Sequence, residues 1–319
     1  MTQKQTVLVV VVTTGLVTLV LLLLDWSPAA FNDPAKTLGL LSPQGVVHLG
    51  GNIDRVPFTL FELMMFLAVG LAFVGSGIAV ERHRPGRNQG FLLVLAGWLW
   101  IAGGLRRSSD PLAFTLGVTL TLMYQPPLLQ LALNFPSGVL GTRAEKRAVA
   151  FFFAFWFVSA IACWAFFDPR LHATAGGSTS RNLLLLRDSP ELASGICDAV
   201  RAVQIAVGLA IVLVLVNRWR TGTSAYRASF LFLWLAIIIK TAATIGAALA
   251  VTQLAGRQAS EVLLWQYPAT AVIPLAVLLG LLRYRMPRGS WATSWWRWGT
   301  RRWDGASGTP CGNHCGTLP

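Results

Sequence analysis

Apolar residues in this chain neither alternate with a period of two nor form narrow one-sided stripes. They run in unbroken blocks separated by short polar stretches that contain Gly, Pro and charge. A block of about 20 apolar residues is long enough to cross the roughly 30 Å of bilayer hydrocarbon as a helix. Eight blocks predict eight helices, over residues 6–24, 58–80, 89–105, 112–135, 148–167, 199–216, 229–251 and 262–282, the third being short. The first follows Lys4 as a signal peptide would. Its apolar run of roughly 19 residues exceeds the 7–15 of a typical signal core and its cleavage motif is weak, so it reads as a retained helix.

Composition agrees with that pattern. Of 319 residues, 54% are hydrophobic and 12% charged, against about 25% charged in soluble domains. Mean hydropathy is +0.58. The net charge of +13 would point to nucleic acid in a soluble protein. Here the cations sit in short segments beside the predicted spans, so the positive-inside rule accounts for them. With the N-terminus inside, the inner segments carry Lys4, Arg82, Arg84, Arg87, Arg143, Lys146, Arg147, Arg218, Arg220, Arg227, Arg283, Arg285 and Arg288, followed by Arg297, Arg301 and Arg302. The outer segments carry fewer: Lys36, Arg55, Arg106, Arg107, Arg170, Arg181, Arg187 and Arg257. The excess survives removal of the last three inner residues. The expected fold is therefore all-α: a polytopic helix bundle of about eight spans in the plasma membrane, with both termini cytoplasmic. The outer segments 25–57 and 168–198 are too short to bury cores of their own and are expected to lie as caps over the bundle. Four cysteines do not make a disulfide framework, and Cys163 and Cys197 read as packing residues.

Polar residues inside the blocks are the candidates for function. Lys240 interrupts FLFLWLAIIIKTAATIGAALA near its middle. A Lys there costs about 2.5–3.5 kcal/mol on insertion scales, so it should face the bundle and find a partner. Glu62, one turn into the second helix, is the expected partner. The pair fits three roles: fixed helix packing, ligand or proton binding, or, for Lys240, snorkelling to the interface. Gln130, Asn134, Gln204 and Gln266 are expected to hydrogen-bond between helices. Ala243, Gly246, Ala247 and Ala250 are interleaved small residues that fit close helix contact or a homodimer face. Pro126, Pro127, Pro268 and Pro274 should kink or break the fourth and eighth helices.

The chain has no P-loop, no H-E-x-x-H and no G-x-S-x-G motif, and His48, His83, His172 and His314 are scattered. No cofactor, metal or nucleic acid is expected. Cys311, His314 and Cys315 would supply only three ligands for zinc.

Several stretches together resemble the membrane input regions of actinobacterial sensor histidine kinases. They are LALNFPSGVLGTRAEKRAV at 131–149, SRNLLLLRDSPEL at 180–192, VLVLVNRWRTGTSAYRAS, and AVIPLAVLLGLLRYRMPRG at 271–289. Val139 stands where that family often has Arg after F-P-x-G. The resemblance covers most of residues 50–289. It implies a membrane sensing region over residues 1–285, whose last helix leads into a cytoplasmic linker.

Beyond Arg288 the pattern changes abruptly. RGSWATSWWRWGTRRWDGASGTPCGNHCGTLP has five Trp and no helical or strand periodicity. With GC-rich codons and a shifted frame, Trp291–Ala292 reads Gly, Trp295–Trp296 reads Val and Trp298–Gly299 reads Gly. The shifted text becomes QLGDLVVALG, similar to that family's linker. The expectation is a frameshift between about Arg283 and Ser290, with residues 286–319 a disordered, out-of-frame tail. The phosphoacceptor His and ATP-binding domain of an intact relative are then lacking, so the chain is expected to have no enzymatic activity. A response regulator would be a partner only of that relative. The alternative is a small multi-pass transporter using Glu62 and Lys240.

Overall fold

The computed structural model describes residues 3–38, 43–50, 58–83, 88–135, 140–172, 181–222, 224–253 and 261–285. Among these residues the structure is helical and has no strand, only an isolated bridge between Leu24 and Ser108. Six helices are long and apolar enough to cross a membrane: Gln3–Leu23, Leu60–His83, Gln89–Arg107, Pro111–Asn134, Arg143–Trp164 and Glu261–Gly280. The chain is therefore a helical membrane-type bundle.

The helices are α1 (Gln3–Leu23), α2 (Pro28–Asn32), α3 (Pro43–Gly50), α4 (Leu60–His83), α5 (Gln89–Gly103), α6 (Pro111–Leu120), α7 (Gln125–Asn134), α8 (Arg143–Trp164), α9 (Pro169–His172), α10 (Pro190–Thr221), α11 (Ser224–Gln253) and α12 (Gln266–Arg285). Helix α5 is central. It packs on α4, α1, α6 and α7, while α4 also packs on α12 and α12 on α11. Helix α8 joins α6 and α7 to α10.

Lipid tails are as apolar as Leu, so close packing rather than exclusion of water holds such helices together. Glycines make the closeness here. A Cβ on Gly97 would lie 2.8 Å from the Gly70 carbonyl oxygen, and one on Gly77 would lie 2.7 Å from that of Gly90. The pairs Gly70/Gly97 and Gly77/Gly90 run in opposite senses along α4 and α5, which makes these helices antiparallel. Each pair member lies seven residues from the next on its own helix, so one face of each is backbone-smooth. Around this seam Phe66 stacks on Trp100 at 5.2 Å, and Tyr124 meets the same indole edge-on at 4.8 Å. The Trp100 Nε1–H donates to the Phe66 carbonyl at 2.8 Å, so the buried indole is satisfied.

The fourth block is two helices. Helix α6 stops at Leu120, and α7 begins at Gln125 with Pro126 and Pro127 in its first turn, where a missing N–H is tolerated. In α12, Pro274 lies inside a continuous helix and Pro268 in its first turn, so neither ends it. The third block gives way to a 3₁₀ turn, Gly104–Arg107. The sixth helix begins at Pro190, nine residues before the expected start, and includes the polar Glu191 and Asp198. A Cβ on Gly246 would meet nothing within 4 Å, so the close contact expected on α11 does not form there. The side chains of Gln204, Ala247 and Ala250 and all of residues 286–319 lie outside the described residues.

Candidate functional site

The ends of α1, α4, α5 and α12 meet beneath the segment that follows α1. That segment folds through its own caps. Ser27 accepts from the Ala30 N–H at the start of α2, with Pro28 in the first turn, and Asp33 caps the following 3₁₀ turn, Pro34–Lys36, by accepting from Ala35 N–H. The Asp25 N–H donates to the Arg107 carbonyl at 3.1 Å, which ties the end of α1 to the end of α5. These turns bring Lys36 back to Asp25, where Nζ lies 2.6 Å from Oδ2 and donates to Ser109 Oγ at 2.9 Å. Ser109 Oγ also donates to Asp25 Oδ2. The Lys36 side chain is 1% exposed. Burial works against ionisation of Asp25, but the hydrogen bonds from Lys36, Ser109 and Ser27 win and hold its carboxyl well below the usual carboxylate range.

Two arginines lie under this lid. Arg106 donates through Nε to the Ala35 carbonyl at 2.9 Å and lies 5.2 Å from the Trp164 ring centroid. Arg107 stacks 3.7 Å over Phe31. Its Nη1 and Nη2 are buried and make no hydrogen bond. Their electrostatic neighbours are Glu62, Asp25 and Tyr267. Glu62, itself 1% exposed, accepts at Oε1 from Thr37 Oγ1 at 3.1 Å and from Tyr267 OH at 2.7 Å. The cluster holds three cations, Lys36, Arg106 and Arg107, and three carboxylates, Asp25, Asp33 and Glu62. Formal charges cancel, which lets so many buried charges coexist.

A Cβ on Gly117 would fall 1.9 Å from the Arg106 backbone nitrogen. Only glycine lets α6 lie this close to the turn that presents both arginines. The segment between α8 and α10 is fastened beside them. Asn182 donates to the Trp164 and Phe167 carbonyls at 2.7 and 3.1 Å, and Leu183 N–H donates to Thr115 Oγ1 at 3.0 Å. His172 Nε2 lies 2.9 Å from Asp188 Oδ2, and the imidazole stacks on Phe167. The Arg170 side chain grips Asp168 at 2.7 Å; this hydrogen bond outweighs burial and lowers the Asp168 pKa.

The structure separates the two residues expected to pair. Glu62 belongs to the charge cluster at the start of α4. Lys240 sits in α11, where its Nζ is buried and makes no hydrogen bond. The described ion pairs are Lys36–Asp25, Arg170–Asp168 and His172–Asp188, so Glu62 and Lys240 do not pair. Depth is the reason. Lys240 lies thirteen residues before Gln253, about 20 Å down the helix at 1.5 Å per residue, beyond the reach of a Lys side chain. Tyr267 and Thr37 take the place assigned to Lys240. Neither stands out in the sequence: Tyr267 follows Gln266 at the start of an apolar block, and Thr37 lies in a loop. Lys36, Arg106 and Arg107, which the sequence places only in segments between predicted spans, are buried.

Gln266 is buried and its Oε1 takes no hydrogen bond. Asn134 is buried and Gln130 half-buried on α7. Among the described residues no group of three His, Cys, Asp or Glu could hold a metal ion. No protein family, curated protein or solved structure matches this chain.

Proposed function

We propose that residues 1–285 form the membrane-embedded sensing region of a signalling protein, similar in role to the input region of a sensor histidine kinase. In this reading the bundle makes eight spans in the plasma membrane. Helices α10 and α11 join the six apolar enough by themselves, and both termini lie in the cytoplasm. The positive-inside count supports that orientation. On that orientation the charge cluster lies at the outer face and the ends of α7, α10 and α12 lie at the inner face.

The observation that carries the reading is the chain of contacts Thr37–Glu62–Tyr267. It runs from the outer cap, through α4, to the first turn of the last helix. A stimulus that shifts the cap changes the hydrogen bonds on Glu62 and so the resting position of α12. A signal then moves by biasing two packings of one helix rather than by bond chemistry. No kinase chemistry is assigned to these residues; an intact relative would carry it in domains after α12. The transporter alternative needs Glu62 and Lys240 at one cavity, and no observation favours it.

The test joins residues 1–285 in frame to the catalytic core of a histidine kinase. Phosphorylation should appear, and Tyr267→Phe should change its basal level at equal membrane abundance. A fusion that is inert, or whose activity ignores Tyr267→Phe and Glu62→Gln alike, would refute the proposal.

A further inference from the structure

Outside the charge cluster, the side of the bundle formed by α8 and α10 carries an open groove of about 400 Å³. Its walls are Phe151, Ala154, Phe155, Val158 and Ala162 of α8, with Val200 of α10. Ser159 also borders it, but its hydroxyl donates to the Phe155 carbonyl at 2.5 Å, so the wall is apolar in effect. From Phe151 to Ala162 the groove runs about 16 Å along the helix at 1.5 Å per residue. That matches half of the roughly 30 Å hydrocarbon thickness, the depth of one leaflet.

The helix continues the same stripe into charge. Residues 143, 147, 151, 155, 158 and 162 follow one another at spacings of three or four and share one face of α8. Arg143 and Arg147 therefore stand directly below the groove, about two turns and one turn before Phe151 respectively. Both are exposed, and neither makes an ion pair with a described residue. Long side chains on a helix lean toward its N-terminus, which carries both guanidinium groups to the membrane–water boundary at the groove's mouth. Glu145, the acidic residue of this turn, has its carboxylate on the cap: Oε2 accepts from Gly141 N–H at 2.8 Å and Thr142 N–H at 3.3 Å.

We propose that this face binds an anionic phospholipid, with one acyl chain in the groove between α8 and α10 and its phosphate on Arg143 and Arg147. The ligand comes from the leaflet that faces the Arg143 end of α8. Two guanidinium groups at an interface favour an anionic over a zwitterionic headgroup by on the order of tenfold or more, at about 1 kcal/mol for each cation. The acyl chain supplies residence time, and the headgroup supplies selectivity.

The test uses the full chain in a mild detergent, titrated with phosphatidylglycerol or phosphatidylcholine of the same chain length. Native mass spectrometry counts bound lipid. The expected result is about tenfold tighter retention of phosphatidylglycerol, reduced to parity by the double substitution Arg143→Gln, Arg147→Gln. Val158→Trp, which fills the groove without touching the charges, should lower occupancy by both lipids. Circular dichroism confirms that each variant keeps its helix content. Equal retention of the two lipids by the unaltered chain would overturn the proposal. So would displacement of the lipid by millimolar glycerol phosphate, because the groove would then contribute nothing.

Discussion

Removing one oxygen, by Tyr267→Phe, isolates the contact that joins the last helix to the charge cluster. The ring stays, and with it the edge contacts to Phe66 at 6.4 Å and Trp100 at 6.3 Å. Only the 2.7 Å hydrogen bond to Glu62 is lost. Neutral hydrogen bonds between membrane helices average about 0.6 kcal/mol and reach about 1.7. A carboxylate acceptor roughly doubles a hydrogen bond, so the expected loss is about 1–2 kcal/mol. It should stay below the 3–5 kcal/mol of a broken buried ion pair, because Thr37 still donates to the same oxygen. The assay is unfolding in mixed micelles at increasing SDS fraction, followed by helical circular dichroism, on the four members of the cycle Tyr267→Phe, Glu62→Gln and both. A coupling of about 1 kcal/mol or more is expected. A coupling under about 0.3 kcal/mol, with the single effects simply adding, means the hydroxyl and carboxyl do not act together, and the proposed route from cap to α12 is broken. A parallel cycle on Glu62 and Lys240 should give no coupling.

Other outcomes follow from the same geometry. Gly117→Ala should abolish folding, because its methyl falls on Arg106 backbone, whereas Gly75→Ala, with nothing within 4 Å, should be neutral or slightly stabilising; SDS titration separates the two. Asp25→Asn removes the carboxylate that compensates the buried Lys36 charge and should cost about 3 kcal/mol at neutral pH. The folded-state pKa of Asp25 is depressed, so its contribution is fully present above the unfolded value near 3.9 and is lost as pH falls below it; the gap in melting temperature between the two proteins should hold from pH 5 to 8 and close under stronger acid. Thr142→Ala removes the capping box at the start of α8 and should cost about 1 kcal/mol. With the native cysteines replaced by Ser, a cysteine at Ser189 should react with impermeant maleimide on whole cells and one at Thr142 only after permeabilisation; the reverse pattern would invert the proposed orientation.

Helix positions were legible because crossing a bilayer is a local, additive property. Each apolar block carries its own transfer free energy and its own backbone hydrogen bonds, whatever it packs against. Pro126 and Pro127 marked the break in the fourth block for an equally local reason. Glu62 and Lys240 were legible as costly residues in apolar surroundings. Their partners were not, because pairing depends on relative depth and rotation of helices far apart in sequence. The Tyr267–Glu62 contact spans 205 residues, and a single-residue scan ranks a tyrosine at a helix end far below a lysine in mid-span. The burial of Lys36, Arg106 and Arg107 was likewise decided by tertiary structure. A loop cation looks the same in sequence whether it faces water or folds under a cap, and only the approach of α6 through Gly117, with the turns that return Lys36 to Asp25, puts these charges inside. Sequence alone determined that the chain is a bundle of apolar helices with a few expensive polar positions. Tertiary structure decided which of those positions meet, because electrostatic compensation is a property of neighbours in space.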